Sequence, residues 1–413
     1  MLDSKGPGGF WLSYHDFMSD KPTVPEASIA QLFDVFVHRM NPPEVLPDTF
    51  DPLARALNRL TAHSLPRHTV DTTEGQHFSR PFTEEEIDSV KAHIRSHNRN
   101  SARGLDSVGY DDVLAIPSDR LCTLFQACVD STAAPQAWLK AIIAAVKKPK
   151  KDGTLPESYR IIGLENCLLK TLTLLIDRRL RAWAEDVKRI PDSQNGFRTF
   201  NNAFILRTAI EKARALAKTL YVVFLDLANA FSSVDQPKLW AKLARWGVAG
   251  PLIDWLRMLY SHLQYLVRFG GETTECFKAL MGILIGDPAS SILWILYLSD
   301  FVLRPHPDDI FLDTVHFSRA EIADDMAFAS LSSCGTQDKL DQTHDYCGVS
   351  SLLISVLKTL ASIHGPLPEP LPRLTLYGEC LQYIDTTTYV GMSFCSTVRD
   401  IFLPHYEAKE LAA

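Results

Sequence analysis

Apolar residues between Leu168 and Val187 fall at Leu168, Leu172, Leu175, Ile176, Leu180, Trp183 and Val187, a spacing that lines one face of an α-helix. The same periodicity predicts helices over Ala203–Ala217, Pro251–Leu263 and Ser290–Leu303. The run Tyr221-Val-Val-Phe-Leu225 is different: short, continuous and rich in β-formers, it reads as a strand buried on both faces that ends at Asp226. Thr83 followed by Glu84, Glu85 and Glu86 is a helix start, with a cap and acidic residues at the positive end of the dipole. Ahead of it, prolines at 22, 25, 42, 43, 47, 52, 66 and 81 imply an extended lead-in with short helices. A proline-rich loop from His364 to Pro372 is flanked by strand-like segments, Leu374–Tyr377 and Thr388–Met392. No internal repeat is visible.

Composition narrows the class. With 413 residues, 46% apolar and 10% aromatic, the chain suffices for a sizeable core divided into two or three subdomains. Its eight cysteines occur singly, without the close pairs and nearby histidines of a zinc site, and read as reduced intracellular thiols. The first residues show no import signal. The most apolar stretch, Met281 to Leu303, is interrupted by Asp287 and Asp300 and reads as a buried turn and helix, so no membrane association is expected. The expected location is intracellular, with nucleus and cytoplasm both open. A net charge of −7 sits awkwardly with nucleic-acid binding. Yet Lys147, Lys148, Lys150 and Lys151 form one dense basic run, and Lys170, Arg178, Arg179 and Arg181 another. Taken alone, both are solvated surfaces.

Three carboxylates change that picture. Asp226 terminates the buried strand, and Asp324-Asp325 stand between apolar segments, as at the turn of a β-hairpin. Neighbouring strands would bring them together. Convergent aspartates suit in-line nucleotidyl transfer, in which two divalent ions activate a primer hydroxyl and neutralise the triphosphate. Magnesium needs only one or two such ligands beside water and phosphate. Separately, an Asp-Asp turn is commonly solvated and an Asp at a strand end is often a helix cap.

In combination, these residues resemble the motifs of non-LTR (LINE-type) retrotransposon reverse transcriptases. Phe224-Leu-Asp226-Leu-Ala-Asn-Ala-Phe231-Ser-Ser-Val-Asp235 is similar to the first catalytic motif of that family, and Gly282-Ile-Leu-Ile-Gly286-Asp287-Pro-Ala-Ser290-Ser291 to the second. Ala323-Asp324-Asp325, the stretch from Gly348 to Lys358-Thr359, and Tyr389-Val-Gly391 follow in order. Upstream, Trp138, the lysines ending at Lys151, Tyr159-Arg160 and Gln194-Asn-Gly-Phe-Arg198 resemble its finger blocks. The resemblance spans Phe82 to Phe394, and in its context both basic runs read as a phosphate-binding surface.

It implies an α/β right-hand polymerase of fingers and palm, an antiparallel palm sheet packed with helices, and a thumb truncated or absent. Residues 1–81 would be the lead-in, 82–220 fingers with part of the palm, 221–394 palm, and 395–413 a tail or thumb remnant. Asp226, Asp324 and Asp325 would hold Mg2+ or Mn2+. Lys358 would approach the leaving pyrophosphate. Lys148 or Lys151, Arg160 and Gly286 would bind the nucleotide, and Phe231 would reject a 2′-hydroxyl. Gly282, Asp287, Ser290, Tyr389 and Gly391 would serve template and primer, Asp287 by supporting its turn. The implied partners are an RNA template, a DNA primer and deoxynucleoside triphosphates, the oligomeric state remaining open. Some positions depart from the commonest pattern: Ile285, Ile322, Ser291, Ile161 and Ser355 replace a usual Gln, Tyr, Pro, Pro and Asn. None is a metal ligand. The rival expectations are an inactive retroelement remnant that at most binds RNA, an RNA polymerase or maturase of the same fold, and a metal-dependent nuclease.

Overall fold

The computed structural model describes residues 26–97, 103–149, 151–198 and 202–398, together with 400, 405, 406 and 410. Lys150 and most of the C-terminal tail lie outside this set.

The predicted strand is β3 of a mixed α/β fold, Leu220–Leu225, and every one of its residues is buried. The cause is two cores rather than one. Val223 and Leu225 point into the main core, while Leu220, Val222 and Phe224 point into a second one filled by the helix Asn202–Ala215 and by Tyr389 and Phe394. A strand roofed on both faces has no solvent side, so its residues read as an unbroken apolar run.

Two five-stranded sheets organise the chain. The first carries β1 (Lys140–Lys147), β2 (Tyr159–Leu164) and β4 (Gln264–Phe269), with the short pieces Glu272–Thr273 and Phe277–Lys278 on β4. Here β1 is antiparallel to β2 and parallel to β4. In the second sheet, β3 lies between β6 (Asp325–Ser330) and β7 (Leu360–His364), antiparallel to both. β5 (Arg319–Ile322) pairs outside β6, and Gln382–Tyr383 pairs outside β7.

The helices follow their sequence signals. Thr83 and Glu86 form a reciprocal cap at Glu84–His97: the Glu86 N–H donates to Thr83 Oγ1, and the Thr83 N–H to Glu86 Oε2. The helix Cys167–Asp186 begins at an Asn166 cap and buries thirteen of its residues, among them Leu172, Leu175, Ile176, Leu180 and Trp183 of the apolar stripe, while Leu168 is half-buried and Val187, past the helix end, is exposed. The helix expected over Ser290–Leu303 spans Pro288–Leu298 instead; Asp287 caps its start, and the chain leaves helical geometry after Ser299. It is apolar all round because it is buried all round. No helix among the described residues is long and apolar enough to cross a membrane.

Residues 26–81 belong to the same core. The helix Ile29–Arg39 seats Leu32 and Phe36 against β4 and the turn before β2, and Phe78 packs on Trp183. A second early helix, Pro52–Ser64, packs on Gln236–Arg245.

One expectation is corrected here. The basic run from Lys170 to Arg181 is not a phosphate-binding surface. Lys170 and Arg179 are buried. The Arg179 guanidinium forks onto both Glu86 oxygens and also donates to the carbonyls of Arg80 and Pro81. Arg178 bonds Ser89, and Arg181 bonds Asp177 and Ser291. Helical spacing carried these cations inward, where they tie helices together.

Candidate active site

Asp226 leaves β3 on a backbone held from both sides. Its carbonyl accepts from the Ser355 N–H at 2.8 Å, and its N–H donates to Thr359 Oγ1 at 3.4 Å. β6 enters from a two-residue turn: Ile322 pairs with Asp325, leaving Ala323 and Asp324 at the tip. Ala323 takes φ +56°, an uncommon conformation for a residue with a Cβ. Met326 pairs with Leu225, so one further step in register sets Asp325 across from Asp226. The expected juxtaposition is therefore real, and its origin is strand pairing.

Asp226 and Asp324 line a cleft of about 700 Å³. Asp325 sits at the start of β6, more exposed and outside the lining. Burial pushes the Asp324 carboxyl above the usual range, and the Asp226 charge adds to the effect while Lys358 opposes it. Burial, followed by the charges of Asp324 and Asp226, raises Asp325 as well. Lys358 Nζ donates to Asp226 Oδ2 at 3.1 Å. Among the described residues, no three His, Cys, Asp or Glu side chains form a closed metal cage. Two carboxylates on an open cleft do fit magnesium, which leaves most of its positions to water and phosphate.

The same cleft carries cations. Arg39, Lys148 and Arg160 line the cleft with Lys358, while Lys151 does not. Lys148 is held by the Glu157 carbonyl at 2.9 Å. Its ammonium is pushed below its ordinary range by burial and then by Arg39, Lys358, Arg160 and Lys151. Phe231 lines the floor, its ring stacked on Trp294 at 5.6 Å and 18°. It is therefore both a packing residue and an accessible one.

Other expected positions are placed differently. Gly286 lines the cleft at φ +105°, where a Cβ would meet the Gly163 carbonyl at 2.8 Å. Gly163 answers with its N–H on the Ile285 carbonyl at 2.7 Å, so β2 and the turn ahead of the helix Pro288–Leu298 touch through a pair of glycines. Gly282 packs its backbone against Ser232, away from the cleft lining. Ser290 is buried, and its neighbour Ser291 lines the cleft instead. Asp287 accepts from the Ala289 N–H as a helix cap. Its carboxyl lies beside buried Glu165, and burial raises both. Tyr389 is buried in the second core with its hydroxyl on the Ala320 carbonyl at 3.0 Å. Gly391 stands at φ +74° on an open turn between Thr386–Tyr389 and Met392–Cys395. Thus the structure gathers Asp226, Asp324, Lys148, Arg160, Phe231, Gly286, Asp287 and Lys358, and leaves Gly282, Ser290, Tyr389 and Gly391 elsewhere.

Gln194 carries a role that the sequence did not disclose. Its buried amide oxygen accepts from the N–H groups of Ala323 (2.9 Å) and Gly196 (2.8 Å), and its amide nitrogen donates to the Ala323 carbonyl at 3.1 Å. Gly196 lies so close to the turn that a Cβ would clash with Ala323 N. The loop from Ser193 to Asn195 also bonds the free edge of β5 at Glu321. The hairpin tip that bears Asp324 is thereby clamped in its uncommon conformation. Only the glutamine's position within a recognisable block hinted at this.

The family model described as reverse transcriptase (RNA-dependent DNA polymerase) matches residues 146–394. The chain belongs to the reverse transcriptase family. This match contains the carboxylate hairpin, β3 and Lys358, but ends short of the N-terminal helices. Among relatives of this reverse transcriptase, a probable RNA-directed DNA polymerase from transposon BS of Drosophila melanogaster is 25% identical over 366 residues, covering 83% of this chain and 39% of that protein. The RNA-directed DNA polymerase from mobile element jockey of the same fly is 23% identical over 331 residues, covering 76% and 36%. The chain thus spans about two fifths of the length of these relatives. A solved apo telomerase from Candida tropicalis has TM-score 0.43 and 15% identity over 64% of this chain and 54% of its own. The resemblance to retrotransposon reverse transcriptases read from the motifs is borne out by the family match and these relatives.

Proposed function

We propose that this chain is the polymerase core of a non-LTR retrotransposon and adds deoxynucleotides to a DNA 3′ end on an RNA template. The observation that carries the reading is the β3–β6 pairing, which sets Asp226 and Asp324 on one cleft that Arg39, Lys148 and Arg160 also line. A polyanion and a pair of carboxylates would otherwise repel, so an arrangement with both signs facing suits a triphosphate bound through divalent cations. When bound by Asp226 and Asp324, Mg2+ or Mn2+ supplies activation of the primer hydroxyl and neutralisation of developing charge.

The remaining work falls to side chains. Lys148 and Arg160 bind phosphate oxygens, the arginine through its planar fork. Phe231, fixed flat on Trp294, lies under the sugar and excludes a 2′-hydroxyl. Lys358 leaves Asp226 as the site fills and faces the departing pyrophosphate with a positive charge and a proton. In this reading the β1–β2–β4 sheet with its helices forms the fingers and the β3–β6 sheet the palm. The template is RNA, the primer DNA and the substrates deoxynucleoside triphosphates.

Primer extension on an RNA template with a DNA primer tests the proposal, comparing the chain with Asp324→Ala at matched purity. Extension by the former alone is expected. If a demonstrably folded chain extends nothing in Mg2+ or Mn2+, the polymerase reading fails.

A further inference from the structure

Arg39 belongs to no catalytic motif and lies ahead of the family match, which begins at residue 146. It nonetheless lines the cleft. It is the last residue of the helix Ile29–Arg39, whose Leu32 and Phe36 are fully buried, so its backbone is fixed. The guanidinium donates to the Tyr159 carbonyl at 3.2 Å, immediately before Arg160. Of its five N–H donors, no other meets an acceptor among the described residues, and no acid there lies within ion-pair distance. Burial weakens its hold on the proton, which the more distant Glu157 only offsets. The guanidinium lies over the Phe36 ring at 5.9 Å, and its charge is felt at Lys148, which lines the same cleft with Arg160; partly desolvated cations so grouped are unfavourable unless an anion joins them.

We propose that Arg39 is a third phosphate-binding side chain of the nucleotide site, acting with Lys148 and Arg160 on the triphosphate of the incoming nucleotide. This rests on the polymerase reading above and deepens it. The N-terminal helix then completes the substrate site, and the family's matched region alone does not contain every phosphate ligand. Arginine suits the position because two parallel N–H groups remain to grip one phosphate while the third direction is tied to Tyr159.

The probe is inorganic tripolyphosphate, which carries the phosphates without base, sugar or template. Calorimetric titration into the full chain is expected to show binding that Arg39→Ala weakens about tenfold or more, as for loss of a charge-assisted hydrogen bond. Arg39→Lys should recover part of it. In primer extension, Arg39→Ala should raise KM for the deoxynucleotide by a similar factor, with kcat and primer–template affinity little changed. Equal tripolyphosphate affinity for the chain and Arg39→Ala overturns the assignment while leaving the polymerase reading intact. So does a parallel loss of melting temperature and of primer–template binding in both variants, which marks a purely structural arginine. A folded chain that binds no tripolyphosphate overturns the anion site itself, and with it the nucleotide-binding part of the wider reading.

Discussion

Replacing Gln194 by alanine should damage catalysis from a residue that touches no substrate. Gln194 is 1% exposed, and its amide satisfies the Ala323 N–H, the Gly196 N–H and the Ala323 carbonyl. Truncation leaves these three backbone groups short of partners in a largely buried corner. Each orphaned group costs about 1–3 kcal/mol, and water entering the space vacated by the side chain recovers part of that, for a net loss of about 2–4 kcal/mol. The turn has a way to escape. Ala323 holds an αL conformation that costs about 1 kcal/mol or more, so without the clamp the tip relaxes and carries Asp324 with it. A misplacement of about 1 Å is enough to cost roughly a hundredfold in rate. The expectation is therefore a lowered denaturation midpoint and a kcat for primer extension reduced about 10- to 100-fold, with KM for nucleotide nearly unchanged. Gln194→Glu is a sharper test. It keeps the acceptor but turns the donor edge, which faces the Ala323 carbonyl and Glu321, into an oxygen. It should be at least as damaging. Denaturant unfolding and steady-state extension measured side by side would refute the reasoning if both variants matched the parent in midpoint and kcat.

Three further perturbations follow from the geometry. Gly163→Ala, and Gly286→Ala at φ +105°, each put a Cβ within 2.8 Å of a facing carbonyl, and urea unfolding should show a loss of about 1–3 kcal/mol in each; a change under half a kcal/mol would mean that β2 and the Ile285–Gly286 turn separate freely. Phe231→Ala should raise ribonucleotide use relative to deoxynucleotide use by roughly 10- to 200-fold in kcat/KM, and an unchanged ratio would deny Phe231 contact with the sugar. Asp324→Asn should abolish extension yet stabilise the metal-free fold at neutral pH. The carboxyl is raised in the folded state, so the native chain binds the extra proton. The penalty therefore grows as pH rises through the unfolded value to the folded one, then stays constant. The gain from Asn should vanish in acid, below both values; a gain independent of pH would point to some other cause.

Local patterns determined a good deal of this protein. The helical stripe from Leu172 to Trp183, the Thr83 cap and the apolar run before Asp226 each mark an element that its own residues specify. The identity of the carboxylates was likewise legible, because a strand end and a two-residue turn are local features. What depends on side chains meeting across the fold was not. Strand pairing and the Gln194 clamp decided that Asp226 and Asp324 share a cleft, and tertiary packing decided which of Lys148 and Lys151 lines it. Helical spacing could not tell that the cations from Lys170 to Arg181 turn inward to Glu86, Asp177 and backbone carbonyls, since a charged residue on a buried face looks the same in sequence as one in water. Nor could it place Tyr389 behind the sheet or Arg39 on the cleft. Gln194 and Gly163 show the reason most plainly: their partners, Ala323 and Ile285, stand more than a hundred positions away. Such contacts are fixed by the packing of whole elements, and only the assembled tertiary structure specifies them.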